Sequence, residues 1–572
     1  MININYGQTH FKDIVTDELY YVDRTHYLPI LENSGAAYVA FLRPRRFGKS
    51  LWISVLEHYY GTQYKDDFEF LFGKYSIGKN PTKEANSYLI LRFNFSGIST
   101  DTDEKLHTSF LKEIKRGVSV FMTDYSDYFN EKTRESILNN TESHDLMRSF
   151  FEKLRNAKHP IYLLLDEYDH YANELITLRL ESFKKLVTQN GWVRKFYESL
   201  KNATNDGVIG RMFITGVSPI TLDSMTSGFN IVSNLSSDFQ LHNLMGFTKD
   251  EVEQIMRGIG IENGELTTTM NTIKEWYNGY CFNEESPDLL YNSILVSYFA
   301  REYAKYGKYP KKMLDGNIAT DYGKISKVFQ IGDLEEQRWE YMDKLMAGEA
   351  IEIYLTDSYS FDRGFSPYDF LSLLYYMGFL TIKEDGFDGS VFLKMPNRVI
   401  ETLYRDYFLE IMDKRAGNVH DMAPLHAAFN YLSRENNPRP LLDILCENLK
   451  QLSHRDFQKL DEKHIQVLFF AYVSMMSSYD TKSEYESEKQ FYDILMTRSG
   501  LANARIVNEF LFEFKYAKTA KDKRLGTIDE EAKTQVNRYL QHQQVKKHPN
   551  LHAWRVVIVG YTLEICGEIE IL

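Results

Sequence analysis

Short apolar runs alternate with helical stretches in the first part of the chain. The runs that predict buried strands are Ala36–Leu42, Tyr88–Phe95, Ile161–Leu165 and Met212–Thr215. Segments with apolar residues at helical spacing fall between them, for example Leu51–Tyr60, Glu104–Phe121 and Ser182–Ala203. Strands that are apolar throughout are typical of a sheet covered on both faces. This alternation predicts a doubly wound, mostly parallel α/β sheet.

The pattern changes after about residue 244. Phe247–Gly258 opens with the capping-box pattern Thr248–Glu251 and continues with helical spacing, and the chain stays mainly helical to about residue 470. Within this stretch Phe370–Phe379 predicts an apolar helix, and Leu380–Leu393 predicts a hairpin. A helix followed by a hairpin indicates a winged-helix-like module, which we interpret as a structural spacer.

A third pattern begins near residue 471. The predicted strands there are Asp480–Glu486, Tyr492–Thr497, Glu509–Tyr516, Trp554–Gly560 and Leu563–Ile571. Asp529–His542 has the spacing of a helix, so this part is expected to form a compact α/β unit with its own core. The sequence therefore predicts three parts, residues 1–244, 245–470 and 471–572.

Composition limits the classes of protein that fit. A chain of 572 residues is long enough for several domains, and its net charge of -13 restricts any nucleic-acid contact to a local patch. The three cysteines, Cys281, Cys446 and Cys566, are far apart and show no CxxC spacing, which argues against a disulfide framework or a zinc site. No signal peptide and no bilayer-length apolar run is recognisable, so we expect a cytoplasmic protein without a membrane partner.

The segment RPRRFGKS, Arg43–Ser50, lies between the first predicted strand and its helix. Gly48 lets the backbone close on phosphate oxygens at a helix N-terminus, where N–H groups point at the anion. Lys49 is expected to reach the β- and γ-phosphates of ATP, and the Ser50 hydroxyl is expected to ligate Mg²⁺. The full GxxxxGK[ST] pattern is not met, because Arg43 stands at its first glycine position. The prediction of a P-loop nucleotide site therefore depends on the strand–loop–helix setting.

An acidic pair, Asp166 and Glu167, ends the third predicted strand. In P-loop enzymes an aspartate at such a strand end holds the Mg²⁺ shell, and an adjacent glutamate can activate the attacking water. Together with Lys49, this pair predicts a Mg²⁺–ATP site. Thr215 and Ser218, at the end of the next strand, could sense the γ-phosphate, although serine and threonine at strand ends usually serve turn chemistry.

The two central arginines of the loop have two interpretations. Arg45 and Arg46 contact phosphate or a partner's nucleotide in one interpretation, and they form a solvated basic turn in the other. The sequence favours neither.

Two carboxylates and a lysine stand out in the last part of the chain. Asp493 lies on one predicted strand, and Glu513 and Lys515 lie two apart on the next, where alternate residues share a face. Phe512 and Phe514 are expected on the opposite face. Two carboxylates provide the hard oxygen ligands that Mg²⁺ prefers, and a lysine can orient the attacking water. The set therefore predicts a metal-dependent hydrolytic site, although Glu-x-Lys alone more often marks paired surface charges.

Further polar residues surround this set. Gln535 and Tyr539 lie four apart on one face of a predicted helix, where they could order the site or touch nucleic acid. Glu484 and Glu486 could add metal ligands, but solvated strand charges are the favoured interpretation. Basic residues that follow the site form either a phosphate-contacting patch or a solvated loop: Lys518, Lys521, Lys523 and Arg524.

Short motifs along nearly the whole chain resemble those of the bacterial AAA-ATPase-like family whose members carry a C-terminal PD-(D/E)XK nuclease-superfamily domain. The N-terminal and middle motifs are Tyr21–Thr25, Arg43–Ser50, Leu163–Asp169, Phe213–Pro219, Met245–Thr248, Trp276–Tyr280 and Tyr376–Thr381. The C-terminal motifs are Ser483–Glu486, Tyr492–Leu495, Phe512–Lys518 and Gln535–Tyr539.

The resemblance implies an ATP-binding domain, a middle region and a restriction-endonuclease-like domain in the three predicted parts. It also implies that Asp493, Glu513 and Lys515 take the nuclease roles, with Gln535 and Tyr539 as the helical motif. The aspartate is preceded by Tyr492 and not by proline, a departure from the motif that is common in the superfamily.

These observations lead to one expected function with two alternatives. We expect an ATP-regulated, Mg²⁺-dependent nuclease that cleaves DNA. The first alternative is an NTP-dependent switch or scaffold whose nuclease-like domain binds nucleic acid or protein without cleavage. The second is an NTPase that acts on protein partners. Many P-loop enzymes act as rings or dimers, so a homo-oligomer is a further expectation.

Overall fold

The computed structural model describes residues 1–178, 191–220, 231–314, 316, 328–329, 335–346, 348–357, 359, 365–416, 422–451, 461–476, 478–487, 490–499, 508–519, 527–540 and 547–569. The chain forms two compact units. The first comprises Met1–Glu335 and Glu352–Asn397, and the second comprises Glu336–Ile351 and Arg398–Leu572. The predicted division into residues 1–244, 245–470 and 471–572 stays a prediction.

A five-stranded parallel sheet forms the centre of the first unit. Its strands are β1 Tyr38–Leu42, β2 Leu89–Asn94, β3 Ile161–Asp166, β4 Ile209–Gly216 and β5 Ser233–Asn234, in the spatial order β2-β3-β4-β1-β5. β3 is buried along its whole length, as its uninterrupted apolar sequence predicts. Because the strands are parallel, the carboxyl ends of β1, β3 and β4 meet at one edge of the sheet. The predicted α/β fold is confirmed.

Helices occupy the connections of this sheet and continue beyond it. Up to β5 they are α1 Phe11–Thr16, α2 Tyr27–Asn33, α3 Lys49–Tyr60, α4 Phe68–Phe72, α5 Ser76–Lys79, α6 Asp103–Asp124, α7 Glu131–Leu138, α8 Ser143–Leu154, α9 His170–Leu178 and α10 Trp192–Asn205. Beyond it they are α11 Lys249–Gly258, α12 Asn263–Tyr277 and α13 Ser293–Tyr306. The capping box at Thr248 and Glu251 is present, because each side chain bonds the other residue's backbone N–H.

The predicted helix and hairpin of the middle region are also present. Helix α15, Pro367–Tyr376, precedes strands β7 Thr381–Asp385 and β8 Val391–Lys394. The short strand β6, Ile351–Ile353, completes a three-stranded sheet of order β6-β8-β7, and its apolar signal is too short for a prediction from sequence.

The second unit contains a mixed sheet with a helical layer. Its strands are β9 Tyr479–Ser487, β10 Gln490–Arg498, β11 Glu509–Ala517, β12 Leu551–Val559 and β13 Thr562–Ile569, in the order β13-β12-β11-β10-β9. β11 and β12 are parallel, and the other neighbours are antiparallel. Its helices are α14 Glu335–Met346, α16 Arg398–Ala416, α17 Met422–Glu435, α18 Arg439–Gln451, α19 Glu462–Val473 and α20 Ile528–Leu540. The core lies between this sheet and its helices; Phe469 of α19, for example, packs 4.9 Å from the rings of Phe512 and Phe514.

No helix within the described ranges is both long enough and apolar enough to cross a bilayer.

One position of the first unit requires glycine, because of its backbone conformation and because of a close neighbour. Gly279 has φ 102°, and a Cβ built on it would lie 2.0 Å from the carbonyl oxygen of Pro396. A side chain here would therefore be strained and would also displace backbone. Gly264, in α12, has open space around the equivalent position.

We expect Gly279→Ala to lower the free energy of unfolding of the first unit by at least about 2 kcal/mol, because it combines a left-handed backbone with a clash. Gly264→Ala is the matched control and should leave stability unchanged or slightly raised, since alanine favours helix over glycine. Urea denaturation followed by circular dichroism measures both. Equal stabilities of the two variants would contradict the assigned geometry.

Candidate functional site

The loop between β1 and α3 closes at a helix N-terminus. Arg43 continues the strand pairing, since its N–H donates to the carbonyl of Gly216 at 3.2 Å. Within the described loop the positive φ angles are 69° at Arg46 and 101° at Gly48, the residue directly before α3. Glycine is therefore suited to position 48, and the backbone does not call for it at position 43. This explains the departure from the GxxxxGK[ST] pattern.

Lys49 is buried on the inner side of this loop. Its Nζ donates to the carbonyl oxygens of Arg43 and Pro44, each at 2.9 Å. Burial lowers the pKa of the ammonium, and the carboxylates of Glu167, Asp169 and Asp166 oppose that shift. A cation held by neutral carbonyls beside a helix N-terminus is suited to receive phosphate oxygens.

Arg43 is a residue whose role the sequence did not reveal. Its side chain is 1% exposed, and its guanidinium lies between the rings of Phe41 and Phe282, at 4.3 and 4.2 Å from their centroids. The Nη groups donate to the carbonyls of Leu42, Ser236 and His242. Burial lowers the pKa of Arg43 to about 9, which leaves it cationic at neutral pH. The arginine therefore anchors the start of the loop. No local sequence pattern around Arg43 predicts that its side chain is buried.

Asp166 ends β3 and is fully buried. The Ser50 hydroxyl bonds its carboxylate, and Asn94 donates to Oδ2 at 3.4 Å. Its Oδ1 has no hydrogen-bond partner in the described structure, and burial raises its pKa. A hydroxyl next to a carboxylate with an unsatisfied buried oxygen fits Mg²⁺, which prefers oxygen ligands.

Glu167 and Thr215 lie beside this aspartate. Glu167 has a left-handed backbone, with φ 52°, and its carboxylate is 3.4 Å from Nδ1 of His170. Thr215 is fully buried, and among the described residues its hydroxyl has no partner. The predicted roles of Glu167 in activating water and of Thr215 in sensing the γ-phosphate stay predictions.

Ser218, for which the sequence left γ-phosphate sensing and turn chemistry open, contacts two side chains of the segment after β3. Its hydroxyl is 3.2 Å from Oδ2 of Asp169 and donates to Oδ1 of Asn173 at 2.8 Å. Asp169 also accepts hydrogen bonds from the backbone N–H groups of Val217 and Ser218, the latter at 2.7 Å. Asp169 therefore ties the end of β4 to the segment after β3. The sequence marked it only as the last letter of a family motif.

A cavity with an empty volume of about 1020 Å³ adjoins the other side of the loop. Arg46, which is exposed, and Gly48 line it together with parts of two family motifs, Tyr21–Thr25 and Met245–Thr248. Arg24 joins these motifs, because it donates to the Gly246 carbonyl at 2.6 Å and pairs with the carboxylate of Glu251. The wall of this cavity is largely apolar and lies next to the loop, so the cavity can take the flat base of a nucleotide. Arg45 is half-buried, and its electrostatic effect reaches Lys49.

The second candidate site lies where β10 and β11 pair. The antiparallel register places Ile494 opposite Phe512, so Asp493 and Glu513 face each other across the strands. The N–H of Phe514 donates to Oδ2 of Asp493 at 2.7 Å. Burial and the Glu513 charge raise the pKa of Asp493 well above its usual value.

Glu513 and Lys515 share a strand face, as the alternation predicts. Glu513 is fully buried, and its Oε1 accepts a hydrogen bond from Nζ of Lys515 at 2.9 Å. Burial raises the pKa of Glu513, and Lys515 and the hydroxyl of Tyr539 oppose that shift. Oε2 of Glu513 has no hydrogen-bond partner in the described structure. The interpretation of this pair as solvated surface charges is therefore wrong.

Glu462, at the first position of α19, completes this arrangement and was missed by the sequence reasoning. Its Oε1 accepts from Nζ of Lys515 at 3.2 Å, and its Oε2 accepts from the N–H of Tyr516 at 3.2 Å. Burial acts to lower the pKa of Lys515, but the charges of Glu513, Glu462 and Asp493 outweigh it and raise that pKa. The Asp461 N-cap before an apolar helix was the available sequence signal, and it indicated only a helix start.

The remaining predicted residues take different places. Tyr539 packs in the core formed by α20 and the sheet, and the side-chain Oε1 of Gln535 is buried without a partner in the described structure. Glu484 and Glu486 lie on β9, and their side chains are outside the description. Lys518 is exposed after β11, whereas Lys521, Lys523 and Arg524 lie outside the described residues.

The metal chemistry of this second site depends on few ligands. The described residues contain no group of three or more histidine, cysteine, aspartate or glutamate side chains that could hold a metal ion. Asp493 and Glu513 form a pair of hard oxygen donors, and the unpartnered Oε2 of Glu513 fits a cation. Water and a phosphate oxygen commonly complete such a Mg²⁺ shell.

Two stretches of the chain match the models of known protein families. Residues 5–226 match the family model described as predicted AAA-ATPase, and residues 460–568 match the PD-(D/E)XK nuclease superfamily. The chain is also 25% identical over 317 residues to a protein of Azotobacter chroococcum mcd 1 named "Uncharacterized protein in vnfD 5'region". That alignment covers 52% of each chain, so this chain spans about half the length of the curated relative it matches.

The chain therefore carries a predicted AAA-ATPase region and a PD-(D/E)XK nuclease-superfamily region, as the motif resemblance implied. The first contains the loop around Lys49, and the second contains Asp493, Glu513 and Lys515.

We expect Glu462→Gln to lower the pKa of Lys515, because it removes one of the carboxylates that raise it. Competitive acetylation of the full chain across pH, read by mass spectrometry, measures this titration for the individual lysine. Half-maximal labelling of Lys515 should move to lower pH. Glu530→Gln is the matched control, since the exposed Glu530 pairs with Lys533 and its loss should leave Lys515 unchanged. An unmoved Lys515 titration in Glu462→Gln would refute the contact.

Proposed function

We propose that this protein is an ATP-regulated, Mg²⁺-dependent nuclease that cleaves DNA phosphodiester bonds. The observation that carries the proposal is the buried carboxylate of Glu513, bonded to Lys515 and opposite Asp493. Burying two carboxylates and an ammonium side by side is costly, and a structural role would be served as well by apolar residues. Strongly perturbed carboxylates next to a lysine are typical of a catalytic site.

At the nucleotide end, the backbone N–H groups of the loop and the Lys49 ammonium hold the phosphates of ATP. Ser50 and Asp166 are the residues that would hold Mg²⁺, which supplies charge neutralisation to the phosphates. Glu167 accepts the proton of the attacking water, and Thr215 donates to the γ-phosphate. The cavity lined by Arg46 and the Tyr21–Thr25 motif takes the base.

At the nuclease end, Asp493 and Glu513 are the residues that would hold Mg²⁺, which would acidify a water and stabilise charge on the phosphate. Lys515 orients that water while its own position is fixed by Glu513, Glu462 and the carbonyl of Phe514. Both carboxylates must lose their protons to bind the cation, and their pKa values are raised. Cleavage should therefore weaken as pH falls.

DNA binding and regulation follow from the same arrangement. The net charge of -13 restricts contact with DNA to a local basic patch, in which Lys518 takes part. Regulation requires that ATP makes different contacts in two states of the protein, in one of which the nuclease site is competent. The cytoplasmic location and a homo-oligomer stay predictions.

Lys49→Ala should weaken ATP binding by about 100-fold, because it removes a charge-assisted contact to phosphate worth about 3 kcal/mol. Isothermal titration with Mg²⁺–ATP measures the affinity. The control Lys195→Ala removes an exposed lysine of the same unit and should bind ATP as the wild type does. Equal ATP affinity of Lys49→Ala and wild type would contradict the assignment of this loop as the ATP phosphate site.

With Mg²⁺, the wild-type protein should cleave plasmid or single-stranded DNA, and Asp493→Asn and Lys515→Ala should each lower the rate at least about 100-fold. Chelation by EDTA should stop cleavage. The rate should fall toward acid pH, since Asp493 and Glu513 then bind protons instead of metal. Gel assays with and without ATP measure all of this, with Lys450→Ala, an exposed lysine of the second unit, as control.

The alternative functions predict other results in the same assay. A protein that binds DNA tightly but never cuts any DNA or RNA form would favour the switch or scaffold. If both Asp493→Asn and Lys515→Ala still cleave DNA, the assignment of these residues to the nuclease site is wrong.

A further inference from the structure

The end of helix α13 concentrates positive charge on the surface of an acidic protein. Residues 303–314 contain no acidic residue and four lysines, Lys305, Lys308, Lys311 and Lys312. All four lysines are exposed. The whole chain has a net charge of -13, so the composition of the protein does not account for this local excess of cations. We call these four residues the lysine patch.

The fold holds the lysine patch together at one end of the helix. α13 ends where Gly307 takes the left-handed conformation, with φ 65°. The chain then folds back along α13, because the hydroxyl of Tyr298 donates to the carbonyl of Lys312 at 3.0 Å. The ring of Tyr309 packs 5.2 Å from that of Phe299 and fixes the same segment. The lysines after the turn are therefore held against the helix that carries the first of them.

Structural roles account for only part of this charge. Lys305 lies in the last turn of α13, where the helix dipole stabilises a cation. Lys308, Lys311 and Lys312 follow the helix, and none of the three forms an ion pair with another residue of the described ranges. Exposed cations that lie near one another repel, so a polyanion that contacts several of them at once is stabilised on this surface.

An anionic membrane does not suit the lysine patch. A basic helix that lies on a bilayer needs an apolar face to place among the lipids. The apolar residues of α13 already pack inside the first unit, since the following four are buried: Leu295, Val296, Phe299 and Ala300. The helix therefore has no comparable apolar face left for a membrane.

An exposed aromatic ring among the lysines favours nucleic acid over an acidic peptide. Tyr306 is 55% exposed, and the ammonium of Lys305 lies 4.9 Å from the centroid of its ring. Sites for single-stranded nucleic acid combine cations that contact the backbone with aromatic rings on which unpaired bases stack. The carboxylate side chains of an acidic peptide would engage the lysines but would have no flat face for the ring.

We propose that the lysine patch and Tyr306 form a binding surface for single-stranded DNA. The ammonium groups contact phosphates of the strand, and an unpaired base stacks on the ring of Tyr306. This surface belongs to the first unit, whereas Asp493 and Glu513 belong to the second. The choice of DNA as the polyanion rests on the proposed function, but binding to this surface does not require cleavage.

The test is the binding of a fluorescein-labelled oligo(dT) of about 20 nucleotides to the full chain, measured by fluorescence anisotropy in EDTA. The wild type should bind. Lys308→Gln/Lys311→Gln/Lys312→Gln should weaken binding at least about tenfold at about 0.1 M salt. The slope of log affinity against log salt should also fall by about 2, because each lost contact between a lysine and a phosphate of a single strand removes about 0.7.

Two further sets of variants separate stacking and general charge from the patch. Tyr306→Ala should weaken binding about tenfold with the salt slope kept, and Tyr306→Phe, which keeps the ring, should restore the affinity. Lys65→Gln/Lys132→Gln/Lys153→Gln is the matched control, since it removes the same charge from exposed positions of the same unit that each adjoin an acidic residue in the sequence. It should keep both the affinity and the salt slope.

The proposal is wrong if oligo(dT) does not bind, or if the variant of Lys308, Lys311 and Lys312 keeps the wild-type affinity and salt slope. It is also wrong if polyglutamate or phosphatidylserine vesicles need these lysines for binding while oligo(dT) does not. DNA cleavage by a protein whose oligo(dT) binding ignores the patch would leave the proposed function standing and refute this surface. Lysine-dependent binding by a protein that never cleaves DNA would do the reverse.

Discussion

A charged side chain taken out of water has to find a partner, and this constraint organises both candidate sites. In the first unit the ammonium of Lys49 is buried under the phosphate loop, where the carbonyls of Arg43 and Pro44 accept hydrogen bonds from it. In the second unit the carboxylate of Glu513 is buried beside Lys515. Within the part of the chain that the structure describes, one buried carboxylate oxygen of Asp166 and one of Glu513 have no hydrogen-bond partner. Such incomplete pairing is tolerated where a ligand completes it, and sites with this property are the functional candidates.

The phosphate loop also depends on residues far along the chain. Phe47 packs against the rings of Tyr280 and Phe282, and Arg43 lies over Phe282. The Phe47 carbonyl accepts a hydrogen bond from the N–H of Gly246. The family motifs Met245–Thr248 and Trp276–Tyr280 are therefore part of the support of the loop. The loop can do without its first glycine because this support, together with a buried arginine, holds its start.

Much of the architecture followed from short-range patterns. Apolar runs and helical spacing predicted β1 to β4 of the first sheet, though not the two-residue strand β5, and the strands of the second sheet. The alternation along β11 put Glu513 and Lys515 on one face. The sequence also predicted the Thr248 capping box. Strand β6 was missed because a three-residue strand carries almost no periodic signal. The sequence left the role of Ser218 open, because a hydroxyl at a strand end bonds whichever polar group the fold brings near it, here Asp169 and Asn173.

The sequence by itself determined most of the secondary structure, the family motifs and the residue types that gather at the two candidate sites. Only the tertiary structure decided which charges meet. Glu462 reaches Lys515 across 53 positions of sequence, and Arg43 anchors the loop on carbonyls almost two hundred positions away. Periodicity acts over a few residues, so it can report a strand face or a helix start. The pairing of buried charges depends on packing between distant segments, and no local pattern records it.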